Sequence, residues 1–153
     1  MRFTTIILYT AVLGFILSSC DPCRNLDCLS SNYYGSFRII KATDGTDLVF
    51  GTSRIYDKNK IKFYSLKGTD TTYLQYQPIR FPNTGYDSVL HVDFYPGIEN
   101  AFMRLSNGDV DTLRISYKTY NTRCCGTITE IANFRLNNLV DLPVGKGVQE
   151  IKK

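Results

Sequence analysis

Cys23, Cys28, Cys124 and Cys125, with the lone His91, are the residues of this chain whose types promise chemistry. Four cysteines allow three pairings. Two of them join Cys23 and Cys28 to the adjacent Cys124-Cys125. Each closes loops of about 100 residues, worth up to ~4.7 kcal/mol on a chain-entropy estimate. The third leaves a local Cys23–Cys28 loop and a strained ring across neighbouring residues. The long-range set is expected, because adjacent residues of a strand face opposite ways and each can reach its own partner. A four-thiolate zinc site is disfavoured, since Cys124 and Cys125 lack the usual ligand separation. Among Cys23, Cys28, Cys124 and Cys125 no Cys-x-x-Cys redox spacing occurs.

Asp93 follows His91 by two residues and shares its strand face, so the pair could orient a general base. No G-x-S-x-G elbow accompanies it. One imidazole also falls short of the two or three that hydrolytic metal sites draw on. His91 therefore reads as an exposed cross-strand polar residue, and no catalytic set, metal or cofactor is expected. Paired-carboxylate glycosidase chemistry needs no closeness in sequence. It stays as the alternative, with no particular pair singled out. Asp44-Gly45-Thr46-Asp47 and Asn107-Gly108-Asp109 gather oxygens as calcium loops do, but lack the alternating ligand set and a downstream Glu. Turn formation accounts for both.

The elements that must carry these residues read as strands. Ser88, Leu90, Val92 and Phe94 alternate with Asp87, Val89, His91 and Asp93, and Asp111, Leu113, Ile115 and Tyr117 alternate with Thr112, Arg114, Ser116 and Lys118. Asn107-Gly108 between them is a strong hairpin signal, suited to a type I′ turn with positive φ at both residues. That register sets Ser106 against Asp109, Arg104 against Asp111 and Phe102 against Leu113. Phe102 then lies on the core face, and Met103, Leu105 and Val110 on the other. Further strands are expected at Gly35–Lys41, Leu48–Tyr56, Lys60–Lys67, Thr72–Ile79 and Thr127–Leu136, divided by turn residues such as Asp44-Gly45 and Pro82-Asn83-Thr84-Gly85. Beyond Asn137 a final short strand or a tail follows. From Cys20 onward the chain shows no sustained helical period, and the pattern predicts an all-β fold. This would be a small antiparallel β-sandwich, immunoglobulin-like or barrel-like, in one domain over 33–153.

Composition narrows the function. The 153 residues are 43% hydrophobic and 21% charged, enough for one core and little more. The net charge of +4 comes without any Lys/Arg block, so no nucleic-acid partner is expected. Arg38, Arg54, Arg80, Arg104, Arg114 and Arg123 are scattered and read as solvated strand faces. Eleven tyrosines are a heavy aromatic load. A ring with a hydroxyl suits sugar stacking and protein interfaces, although Tyr is also simply a good strand residue. Tyr73 and Tyr76, three apart, point to opposite faces and cannot form one platform along a strand.

The start of the chain supplies an address. Arg2 precedes an apolar run from Ile6 to Leu17. As a helix that run would rise about 18 Å, short of a ~30 Å hydrocarbon core. This is the layout of an export signal. Its end, Leu17-Ser18-Ser19-Cys20, resembles the lipobox of bacterial lipoproteins. The resemblance implies cleavage of signal peptide 1–19, acylation of Cys20 and a lipidated tether over 20–32. Two or more acyl chains hold a protein on a bilayer without a spanning helix. It also implies an oxidising compartment, where disulfides are the default, and a place in the cell envelope, at the outer membrane on its periplasmic or surface face. Asp70-Thr71-Thr72, Asp87-Ser88-Val89 and Asp111-Thr112-Leu113 resemble the Asp-Ser/Thr-apolar acceptor that some lipoprotein-rich bacteria O-glycosylate, which would modify Thr71, Ser88 and Thr112. Strand starts rich in Asp and Thr yield the same triplets. The function expected is that of a non-catalytic envelope lipoprotein, an accessory or binding module with a membrane anchor and an envelope protein or glycan as partner. The alternative is an envelope glycan-processing enzyme using a carboxylate pair.

Overall fold

The computed structural model describes Cys23, Cys28 and residues 33–80, 88–144 and 147–153. The expected signal segment 1–19, Cys20, the rest of the 20–32 tether and the Pro82–Gly85 turn lie outside the described residues. The chain divides into two compact units, Ser31–Thr119 with Thr129–Lys153, and Met1–Ser30 with Tyr120–Ile128.

The larger unit is an all-β sandwich of two sheets, not closed into a barrel. The smaller sheet has the order β10 (Val148–Lys152), β1 (Tyr34–Ile40), β5 (Val89–Asp93), β4 (Tyr76–Ile79). The six-stranded sheet runs β3 (Asp70–Tyr73), β2 (Lys62–Lys67), β6 (Asn100–Ser106), β7 (Asp109–Thr122), β8 (Gly126–Leu136), β9 (Val140–Pro143). The pair β1–β10 is parallel, and the other strand pairs with a described register are antiparallel.

Period-two patterning builds the core as expected. Phe37 and Ile39 of β1, Leu90 and Val92 of β5, and Ile151 of β10 meet Phe63, Ala101, Met103, Leu113, Ile115 and Phe134 of the facing sheet. Phe37 touches Phe134 edge-on at a centroid distance of 5.2 Å, with Phe94 also in the cluster. Gly35 is required where it stands. A Cβ there would come within 2.8 Å of the rings of Phe134 and Phe37.

Several expectations are corrected. Leu48–Tyr56 forms turns rather than a strand, because the Asp47 carboxylate accepts the backbone N–H groups of Val49 and Phe50, both at 2.8 Å, and so curls the chain. Thr72–Ile79 splits at Leu74-Gln75 into β3 and β4, which belong to different sheets. The β6–β7 hairpin closes with Ser106 opposite Asp109, but an irregularity between Arg104 and Ser106 shifts the register by one. Arg104 then faces Val110, Phe102 faces Thr112 and Met103 faces Asp111. Met103 and Leu105 therefore fill the core, while Phe102 and Val110 lie on the outer face. Gly108 and Asn107 have no positive φ, and the extra residue at the irregularity supplies the twist instead. Positive φ is found in the turn after β8, at Asn137 (49°) and Asn138 (59°), where the Leu139 N–H bonds the Leu136 carbonyl at 2.9 Å.

In the smaller unit, Cys23 pairs with Cys124 and Cys28 with Cys125, across Cα separations of 5.2 and 5.3 Å. This is one of the two long-range sets. Cys124 and Cys125 sit in the turn between β7 and β8 rather than in a strand. The Thr122 hydroxyl accepts the Cys125 N–H at 2.9 Å, and Gly126 closes the turn at φ 65°.

Candidate functional site

Three strands of the six-stranded sheet carry a strip of rings on the face turned away from the core. Because Phe63 points inward on β2, its neighbours Lys62 and Tyr64 point outward, and Leu66 continues the series. Pairing sets Tyr64 opposite Tyr73 of edge strand β3 and opposite Phe102 of β6. Thr112 of β7 extends the row. The Tyr64 and Phe102 rings stack with an offset, centroids 5.3 Å and planes 18° apart, and Tyr73 meets Tyr64 at 6.2 Å and 59°. Tyr73 is 56% exposed and Leu66 49%.

Cations border the strip. One register step along the strands, Lys62 stands opposite Arg104, and its ammonium lies 5.4 Å from the Tyr73 ring centroid. On the other side Arg114 pairs with Asn100. Among the described residues, Lys62, Arg104 and Arg114 form no ion pair with a carboxylate. A cleft of about 520 Å³ runs along the Lys62–Arg104 row, with Lys60 on its wall and Asp57 as the carboxylate lining it. Asp57 is engaged by its own turn, accepting the Asn59 N–H at 3.0 Å.

Sequence reasoning missed this strip because the assumed register sent Phe102 inward. The alternation Lys62-Phe63-Tyr64 did carry a signal for it. Tyr76 takes no part. Its ring packs on Phe63 at 5.4 Å, and its hydroxyl donates to the carbonyls of Lys58 and Ile61.

A second polar cluster lies where Lys153, just past β10, meets the start of β7. The Lys153 ammonium is 2.6 Å from Asp109 Oδ1 and 2.7 Å from Asp111 Oδ2. The latter contact is off the line of a good hydrogen bond and is chiefly ionic. Tyr56 donates its hydroxyl to Asp109 Oδ2 at 2.5 Å, and the Asn137 amide donates to Asp111 Oδ1 at 2.7 Å. Burial raises the Asp109 pKa, but Lys153 and Tyr56 outweigh it and hold the carboxyl below its ordinary value. Burial, and then Asp109, push the Tyr56 hydroxyl well up. Asp109 and Asp111 thus share a cation, and Asp109 is held ionised, the opposite of what a general acid needs.

His91 is half-buried rather than exposed. Its Nδ1 and the buried Ser36 hydroxyl share a hydrogen bond of 3.0 Å, Tyr34 packs on its ring at 4.7 Å, and Asp93 lies 3.9 Å from Nε2. The last distance exceeds a hydrogen bond, so Asp93 does not orient the ring directly. The calcium-like segments act as turns. Asp44 Oδ1 accepts the Thr46 N–H at 3.0 Å, and Asp47 Oδ2 pairs with Arg38 at 3.2 Å. Among the described residues, no three His, Cys, Asp or Glu gather in a metal-holding group. Thr71 is exposed on β3, Thr112 is half-buried on β7 and Ser88 is half-buried just before β5. The structure keeps these three on separate strands or strand ends.

No protein-family model matches the chain, and no curated protein or solved structure matches it.

Proposed function

We propose that this protein is a non-catalytic binding module of the cell envelope, exported and lipidated on Cys20, that engages its ligand through the Tyr73–Tyr64–Phe102 strip. The observation that carries the reading is that strip. One exposed ring, Tyr73, and two half-buried ones, Tyr64 and Phe102, line an outer sheet face beside Lys62, Arg104 and Arg114, which form no ion pair among the described residues. Such a combination of amphipathic rings and basic groups is what binding hot spots are made of. The two disulfides accord with an oxidising compartment outside the cytoplasm. The anchor rests on Leu17-Ser18-Ser19-Cys20.

The test is capture from gently solubilised envelopes by the intact protein and by a Tyr64→Ala/Tyr73→Ala double variant. A component retained by the first and lost from the second is expected. Equal capture by both would remove the strip from the function. The anchor is checked by intact mass: the increment of acyl chains over a polypeptide starting at Cys20 should vanish in Cys20→Ser.

A further inference from the structure

We infer that the ligand of this face is an acidic polysaccharide, a linear chain of sugar rings carrying carboxylates. The inference rests on the binding reading above and names its ligand class. The argument is the arrangement of the groups in two parallel lines. Tyr73, Tyr64 and Phe102 lie in one register row across β3, β2 and β6. Neighbouring strands are about 4.8 Å apart, so the row spans roughly 10 Å perpendicular to the strands, the scale of about two linked sugar rings. Lys62 and Arg104 form the next row on the same face, about 7 Å away along the strands.

A linear polymer with an apolar ring face on one side and regularly spaced carboxylates on the other fits both rows together. Arg104 suits a carboxylate bidentately, and Lys62 supplies a point charge. The cleft beside the cation row gives the charged edge of the chain somewhere to lie: Lys60, Lys62 and Arg104 line it against a single carboxylate, Asp57, which accepts the Asn59 N–H of its own turn. The outer positions of β3, β2, β6 and β7 paired in these rows hold Thr71, Leu66, Asn100, Thr112 and Val110 besides the rings and the cations Lys62, Arg104 and Arg114, and no carboxylate. That absence of acidic groups within the rows favours an anion over a neutral sugar chain.

The test titrates the full chain with oligogalacturonate, neutral cello-oligosaccharide and polyglutamate by calorimetry at two salt concentrations. Oligogalacturonate is expected to bind, weakening with salt. Tyr73→Ala and Lys62→Gln should each raise its Kd roughly tenfold, with Tyr73→Phe near the parent. Both positions are exposed, and thermal unfolding midpoints confirm that the variants fold. No uronate binding, equal binding of the neutral oligosaccharide, or equal binding of polyglutamate with Tyr73→Ala unaffected would each overturn the assignment. If uronate fails while strip-dependent capture from envelopes persists, only the ligand class falls. If strip-dependent capture fails as well, the binding reading falls with it.

Discussion

Lys153 holds two carboxylates of very different exposure, and that sets what its loss would do. Asp111 is 3% exposed and keeps only the Asn137 amide if the ammonium is removed. Breaking a buried pair from one side strands the other charge. Lys153→Met is therefore expected to lower unfolding free energy by about 2–4 kcal/mol at neutral pH, measured by urea denaturation. The pH dependence follows from the shifts of the pair. Asp109 is depressed below its ordinary 3.8, so its contribution is full above that value and lost as pH falls through the depressed pKa. Burial lowers the Lys153 pKa, but Asp109 and Asp111 together raise it above 10.5. Its contribution is full below 10.5 and lost as pH rises through the raised value. The gap between parent and variant should narrow at both extremes. A gap that stayed constant from pH 3 to pH 11 would contradict this account of the cluster.

At the scale of elements, patterning was legible where apolar inward positions alternate with polar neighbours, fully in β7 and only in part in β5, where Val89 on the other face is buried too. The inward series Leu90-Val92-Phe94 and Leu113-Ile115 could be read directly, because a one-residue slip would expose the whole set. The β6–β7 register could not. Phe102, Met103 and Leu105 are all apolar, so the alternation does not say which side is in, and the irregularity before Ser106 has no mark in the sequence. The strip depended on that register, which is why its residues were visible singly and not as a site. The turn at Asp47 hid for a similar reason: Leu48-Val49-Phe50 looks like a strand until a carboxylate claims its N–H groups. Gly35 is the element-level counterpart of these failures, a strand glycine whose purpose appears only in packing. Gly35→Ala would gain a few tenths to 1 kcal/mol from a less free unfolded chain, and lose about 1–3 kcal/mol by forcing the Phe37 and Phe134 rings apart. A net loss is expected, read as a lower denaturant midpoint with an unchanged slope. An equal or higher midpoint would mean that the rings move aside freely.

For the whole molecule, the two disulfides act on almost the same loop, with sequence separations of 101 and 97. Their effects should be strongly non-additive. With one bridge in place, the second closes only the small ring made by Cys23–Cys28 and Cys124–Cys125, worth about 2–3 kcal/mol on the chain-entropy estimate. Removing the remaining bridge then opens the long loop, at about 4–5 kcal/mol. Cys28→Ser/Cys125→Ser alone should therefore cost roughly half of what the further loss of Cys23–Cys124 costs, measured by urea unfolding. Equal steps would show that the bridges act through native contacts rather than through the unfolded chain. The same covalent layout has a consequence for survival. A protease that cuts anywhere between Cys28 and Cys124 leaves two fragments still joined through both bridges. A nicked copy would run as one species until reduced, and the sandwich strands would stay attached to the beginning of the chain after their backbone connection to it had been severed.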